Sequence, residues 1–146
     1  MKKLIAIFAA MMLAVLPLAA RDEVYHSADV LPQNAQQTLR KVFPKSQVTR
    51  VKVDKSILGS KEYEVILNNG TEIEFDNEGD WKEVDCGRQA VPAMFVLKSI
   101  QNYVRNNYKG QAIIKVDKDK NRYEVELVNG TDLEFDRAGN FLRVDD

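Results

Sequence analysis

One cysteine and one histidine stand among 146 residues, and each scarcity closes off a chemistry. Cys86 alone cannot form an internal disulfide; it is either buried and inert or able to pair between chains, and the inert reading is preferred because nothing near it resembles a redox motif. His26 sits in a polar stretch with no second base beside any serine, so a nucleophile–base arrangement cannot be assembled around it. There is no glycine-rich phosphate cradle and no metal-ligand cluster; no catalytic residue, metal or cofactor is assigned. A basic surplus is also missing. The chain carries 21 Lys and Arg against 22 Asp and Glu, which argues against a dedicated nucleic-acid binder.

Only one long apolar run is present. Lys2 and Lys3 precede an uncharged stretch from Leu4 to Leu16, and Leu18-Ala19-Ala20 offers small residues for cleavage. Residues 1–20 therefore read as a secretory signal peptide of bacterial type, a little short for a bilayer-spanning helix. No Cys follows, which argues against a lipoprotein anchor. Export to the periplasm or medium is expected, with no membrane attachment after cleavage. Residues 21–146 then carry a net charge of −3 with His neutral.

What is present is a repeat. Residues 61–85 return as residues 121–145 at a constant offset of 60, with Tyr63, Val65, Leu67, Gly70, Thr71, Phe75, Asp76, Gly79, Val84 and Asp85 recurring. Leu31-Pro32 matches Val91-Pro92 on the same offset. The organisation predicted is a polar lead-in over 21–30, a first repeat over 31–85, a linker over 86–90 and a second repeat over 91–146. Each repeat is near the lower size limit for a self-sufficient core, so the halves pack on each other or share a sheet.

Each repeat should open with a helix. Pro32 suits the first turn, Ala35, Leu39, Val42 and Phe43 mark one face, and Pro44 stops it. In the second, Pro92 opens a longer helix striped by Leu97, Ile100 and Val104 and ended by Gly110. Strands follow at Val48–Val53 and Ala112–Val116, then two alternating runs around Asn69-Gly70. A two-residue turn there would pair Leu67 with Glu72 and mix the faces. A three-residue loop, Asn68-Asn69-Gly70, pairs Val65 with Ile73 and Tyr63 with Phe75, and is preferred. The same register sets Tyr123 opposite Phe135 and Val125 opposite Leu133. The fold class expected is α+β: two tandem helix-plus-four-stranded antiparallel meander units, with helices packed on one sheet face.

The fourth strand of each repeat breaks the alternation. Trp81 and Val84 are three apart, as are Phe141 and Val144, so on a regular strand they point to opposite faces. If the valines are buried, Trp81 and Phe141 lie on the open face as interface candidates; otherwise Trp81 packs at the sheet edge or under a loop. That face is otherwise acidic, with Glu64 opposite Glu74 and Glu124 opposite Glu134. Facing like charges cost stability unless a cation lies between them. Lys52 and Lys115 are the expected neutralisers of a solvated, self-paired surface; the alternative is a docking surface for a basic partner or a cation. A hydrolase using Glu64 and Glu74 is disfavoured, because a flat, wet face does not raise a carboxyl pKa strongly. Asp117 to Asn121 opens like a calcium loop, but Arg122 and Val128 stand where the glycine and the bidentate acid are needed. Asn69-Gly70-Thr71 and Asn129-Gly130-Thr131 fit a glycosylation pattern but are read as turns.

Taken together, Tyr63-Glu64-Val65, Asn69-Gly70-Thr71, Glu74-Phe75-Asp76, Gly79-Asp80-Trp81 and Val84-Asp85, each repeated 60 residues on, resemble the PepSY-like family of small exported bacterial proteins. Its fold is related to that of the β-lactamase inhibitory protein. The resemblance implies a tandem α+β protein with a concave sheet that grips another protein, and an inhibitory or chaperone-like role, since related domains occur in protease propeptides. The shared motifs are structural, so no residue of the inhibitor's binding surface carries over, and Phe141 in place of Trp81 argues against identical binding by both repeats. The function expected is a non-enzymatic exported module contacting or inhibiting another exported protein through the open sheet face. The alternative is a small-ligand or cell-envelope-associated protein, for which a closed pocket between the halves would be decisive.

Overall fold

The computed structural model describes residues 22–145; the expected signal peptide lies outside them. Strand β1 (Glu23–Tyr25) and a one-turn 3₁₀ helix (Ala28–Val30) precede helix α1 (Gln33–Val42). Strands β2 (Val48–Lys55), β3 (Lys61–Leu67), β4 (Glu72–Phe75) and β5 (Trp81–Asp85) follow. A second 3₁₀ turn (Ala93–Phe95) leads into helix α2 (Lys98–Asn107). Strands β6 (Ile113–Lys118), β7 (Arg122–Leu127), β8 (Asp132–Asp136) and β9 (Phe141–Asp145) complete the chain.

The expectation of two helix-plus-four-strand units is overturned. Among the described residues, nine strands form one antiparallel sheet in the order β1 to β9, with two short α-helices. The seam between the repeats is a strand pair: Val84 lies opposite Val116 and Asp85 opposite Lys115. Pairing there satisfies two rows of backbone groups that separate sheets would leave bare, and both valines are fully buried. One hydrophobic core spans the seam. Phe95, 2% exposed, stacks on Phe43 at 6.1 Å and meets Trp81 edge-on at 5.2 Å.

Three further expectations change. The lead-in contains β1, which pairs with β2 through Val24 opposite Lys52. The helix expected to run from Pro92 is broken: Val96 is extended and Leu97 caps α2, so that Phe95 can turn into the core. The helical counterparts then fall 65 residues apart, Ala35 with Ile100 and Leu39 with Val104, all buried. Leu31-Pro32 therefore corresponds to Val96-Leu97 and not to Val91-Pro92. The change of offset arises in the β2–β3 hairpin. Val51 pairs with Val65 while Val116 pairs with Val125, so the first hairpin is five residues longer.

The hairpin register is the one that the three-residue loop requires. Tyr63 faces Phe75 and Val65 faces Ile73, with Gly70 at φ +85° and Leu67 accepting from its N–H at 3.0 Å. The second repeat matches, with Tyr123 opposite Phe135 and Val125 opposite Leu133. The repeated Asp-x-x-Gly is a turn device: Asp76 Oδ1 accepts from Glu78 and Asp80 N–H, and Asp136 Oδ1 from Ala138 and Asn140 N–H. Gly79 has no room for a side chain, since an added Cβ would meet Ala35 N and Pro32 Cβ at 2.9 Å. The turn thus seats the start of α1 on the sheet.

Candidate functional site

Helices and 3₁₀ turns cover one face of the sheet; the other is open. The strand registers join across all nine strands into a single row: Val24, Lys52, Glu64, Glu74, Glu83, Asp117, Glu124, Glu134 and Arg143. Six consecutive members are acidic. At ~4.8 Å between strands they span about 24 Å. A second row alongside reads Arg50, Ile66, Glu72, Asp85, Lys115, Glu126, Asp132 and Asp145. The two rows hold eleven carboxylates against four cations.

Neutralisation is local and incomplete. Lys52, expected to offset Glu64, bonds instead to Asp22 at 3.2 Å and Asp54 at 3.4 Å, leaving Glu64 to Arg50 at 3.8 Å. Lys82 reaches Glu62 at 2.6 Å and Glu74 at 3.4 Å, and Lys115 takes Glu83 at 3.0 Å. Glu134, 4% exposed, is held by Arg143 at 2.7 Å and Arg122 at 3.1 Å. Asp117 and Glu124 have no cation within 4 Å among the described residues.

The carboxyl pKa values follow that pattern. Burial pushes Glu74 up, reinforced by Glu62 and Glu83 and opposed by Lys82. Burial, then Glu83, raises Asp117. Glu124 is raised by burial first and then by Asp145, Asp132, Glu134 and Asp117. The middle of the row is a field of repelling carboxylates. Oxygens of Glu124, Glu134 and Asp145 lie within 4.8 Å of one another.

The candidate aromatics are on the other side. In β5 the residue opposite Glu74 is Glu83 and the one opposite Phe75 is Trp81, so Lys82 is an extra, bulged residue. A bulge resets the alternation, and Trp81 joins Val84 on the helix-covered face, with Lys118 Nζ 3.9 Å over its ring. β9 repeats the device with Leu142 as the extra residue, and Phe141 stacks on Tyr103 at 4.5 Å. The structure thus keeps Glu64, Glu74, Glu124, Glu134, Lys52 and Lys115 on the open face and removes Trp81 and Phe141. It adds Glu83 and Asp117, whose place in the row depends on the β5–β6 pairing. Cys86 is half-buried, and burial pushes its thiol pKa up, which lowers its reactivity.

A cavity of about 560 Å³ is lined by residues between Ala90 and Ile113, including Val91, Val104, Arg105 and Tyr108. It lies within one half of the chain and not between the halves.

The protein is thus one continuous antiparallel sheet with one helix-covered and one charged, solvent-facing side. The chain belongs to the PepSY-like family, described as "Putative beta-lactamase-inhibitor-like, PepSY-like", whose profile matches residues 61–143. It is similar to a Bacteroides vulgatus structure described as a "putative periplasmic protein of unknown function", at 33% identity and TM-score 0.83, covering 86% of this chain and 100% of that one. A Bacteroides thetaiotaomicron structure, described as a "putative calcium-regulated periplasmic protein", is 39% identical with TM-score 0.79, covering 86% and 97%. A second Bacteroides vulgatus structure, described as a "putative periplasmic protein", is 37% identical with TM-score 0.79, covering 88% and 99%. No curated protein matches the chain. The structural relatives are thus described as periplasmic, and no helix among the described residues is long and apolar enough to cross a membrane.

Proposed function

We propose that this protein is a non-enzymatic periplasmic binding module whose open sheet face contacts, and by contact inhibits or shields, a basic surface of another exported protein. The observation that carries the reading is the row of six carboxylates from Glu64 to Glu134, of which Asp117 and Glu124 are uncompensated. Like charges in cross-strand register weaken a free sheet, and an incoming cationic surface offsets that repulsion as it binds. A non-enzymatic role accords with the setting, since the row lies on an open face that does not exclude water.

The test is capture from envelope extract with wild-type protein and a folded Glu74→Gln/Glu83→Gln/Glu124→Gln variant, at low and high salt. A partner held by the wild type at low salt and lost on both changes supports the reading. Equal retention by the variant, or no partner at all, overturns it.

A second reading, calcium on the same row, is favoured by the convergence of Glu124, Glu134 and Asp145 and by the description of the Bacteroides thetaiotaomicron relative as calcium-regulated. Their oxygens are the hard donors that calcium takes. It stands second because Glu134 is already committed to two arginines. Calorimetric titration of the wild type with calcium, with the same variant as control, decides it: no heat of binding removes this reading.

A further inference from the structure

Strands β5 and β9 are counterparts in the repeat, each bulged and each paired with the strand before it. β5 has β6 on its outer side, and Val84 is fully buried there. β9 ends the sheet. All five of its residues are exposed, Val144 at 41% and Leu142 at 53%. The opposite edge, β1, is only three residues long, a common way of blunting an edge. Among the described residues nothing covers β9, which presents N–H and C=O groups without a strand partner beside an apolar side chain.

We propose that a second copy of this chain covers β9, by antiparallel pairing of the two β9 strands about a two-fold axis at Val144. The register follows from side-chain alternation and charge. With the axis at Val144, the residue faces the partner's Val144 on the helix-covered side. Arg143 then lies opposite the partner's Asp145, and Asp145 opposite the partner's Arg143, on the open side. The same chemistry joins the repeats internally, where Val84 faces Val116 beside Asp85 and Lys115. Moving the axis to Arg143 would instead oppose two guanidinium groups, which is unfavourable. The interface is isologous and closes on itself, so it yields a dimer and not a filament. It is short, so the dimer dissociates on dilution. Arg143 and Asp145 also belong to the open-face rows, so this assembly adjoins the surface that the proposed function uses.

Sedimentation velocity over a concentration series tests it. The wild type should shift from monomer to dimer as concentration rises. Val144→Lys sets two ammonium groups face to face and should abolish the shift. Asp145→Arg should weaken it, and Asp145→Arg with Arg143→Asp should restore it by exchanging the pair. In a Cys86→Ser background, Val144→Cys should cross-link between chains on mild oxidation and Leu142→Cys should not. A monomer at every concentration overturns the proposal, as does a dimer that survives Val144→Lys without cross-linking at residue 144. Should circular dichroism show Val144→Lys unfolded, the cross-link decides.

Discussion

Replacing Glu124 with Gln should make the free protein more stable. Glu124 lies in register between Asp117 and Glu134, and its pKa is raised first by burial and then by Asp145 and Asp132 nearby. Glu134 is offset by its arginines, so the unrelieved neighbours are the three aspartates. A directly opposed like-charge pair costs ~0.2–1 kcal/mol, and the more distant pairs are partly screened. Gln keeps the shape and hydrogen-bonding capacity while removing the repulsion, for a gain of about 1 kcal/mol at low salt. In a domain of this size that corresponds to about 4 °C in Tm. The pH dependence ties the gain to the charged form of Glu124, and its salt dependence to the neighbouring carboxylates. Glu124 holds its proton more tightly folded than unfolded, so its charge destabilises once pH rises through the folded pKa. The advantage of Gln is therefore full at pH 7 and disappears below the unfolded value of about 4.3. Thermal and urea unfolding at several pH values and two salt concentrations measure this. A Glu124→Gln protein that is no more stable than wild type at pH 7 and low salt would refute the claim that the row is strained by its own charge.

Phe95→Ala should cost ~3–5 kcal/mol, because the ring is packed between Phe43 and Trp81 of the other repeat. It should also red-shift Trp81 emission, and unfolding followed by emission and by far-UV dichroism should still coincide, since both repeats share one core. Gly139→Ala should destabilise more than Gly130→Ala. Both have positive φ, but an added Cβ at Gly139 runs into the Ser99 hydroxyl whereas nothing lies within 4 Å at Gly130. We expect ~1–2 kcal/mol from backbone strain at Gly130 and ~1–3 kcal/mol more from overpacking at Gly139, read from urea midpoints. Equal losses would show that the Gly139 turn does not pack against Ser99 in the first turn of α2.

The apolar stripes of the helices and the alternation of the strands were visible as local patterns, and so was the pairing of Glu64 with Glu74 and of Glu124 with Glu134. Gly70 and Gly130 determined those registers, because only the three-residue loop keeps Tyr63, Val65 and Phe75 on one side. The bulges at Lys82 and Leu142 were legible only as a conflict, two apolar residues at a spacing that no regular strand can bury together. The 3₁₀ turn at Ala93–Phe95 left little trace, since its φ and ψ are set by where Phe95 finds its pocket.

Sequence by itself thus determined what depends on neighbours a few residues away: the repeat, the hairpin registers, and the side of each strand that must be apolar. Tertiary structure alone decided how the repeats meet. Pairing β5 with β6 satisfied backbone groups that carry no sequence signature, and that single seam placed Glu83 and Asp117 between Glu74 and Glu124. Two short acidic pairs became one continuous charged row, because hydrogen bonding across a seam is chosen by the closing of the whole sheet and not by the residues that line it.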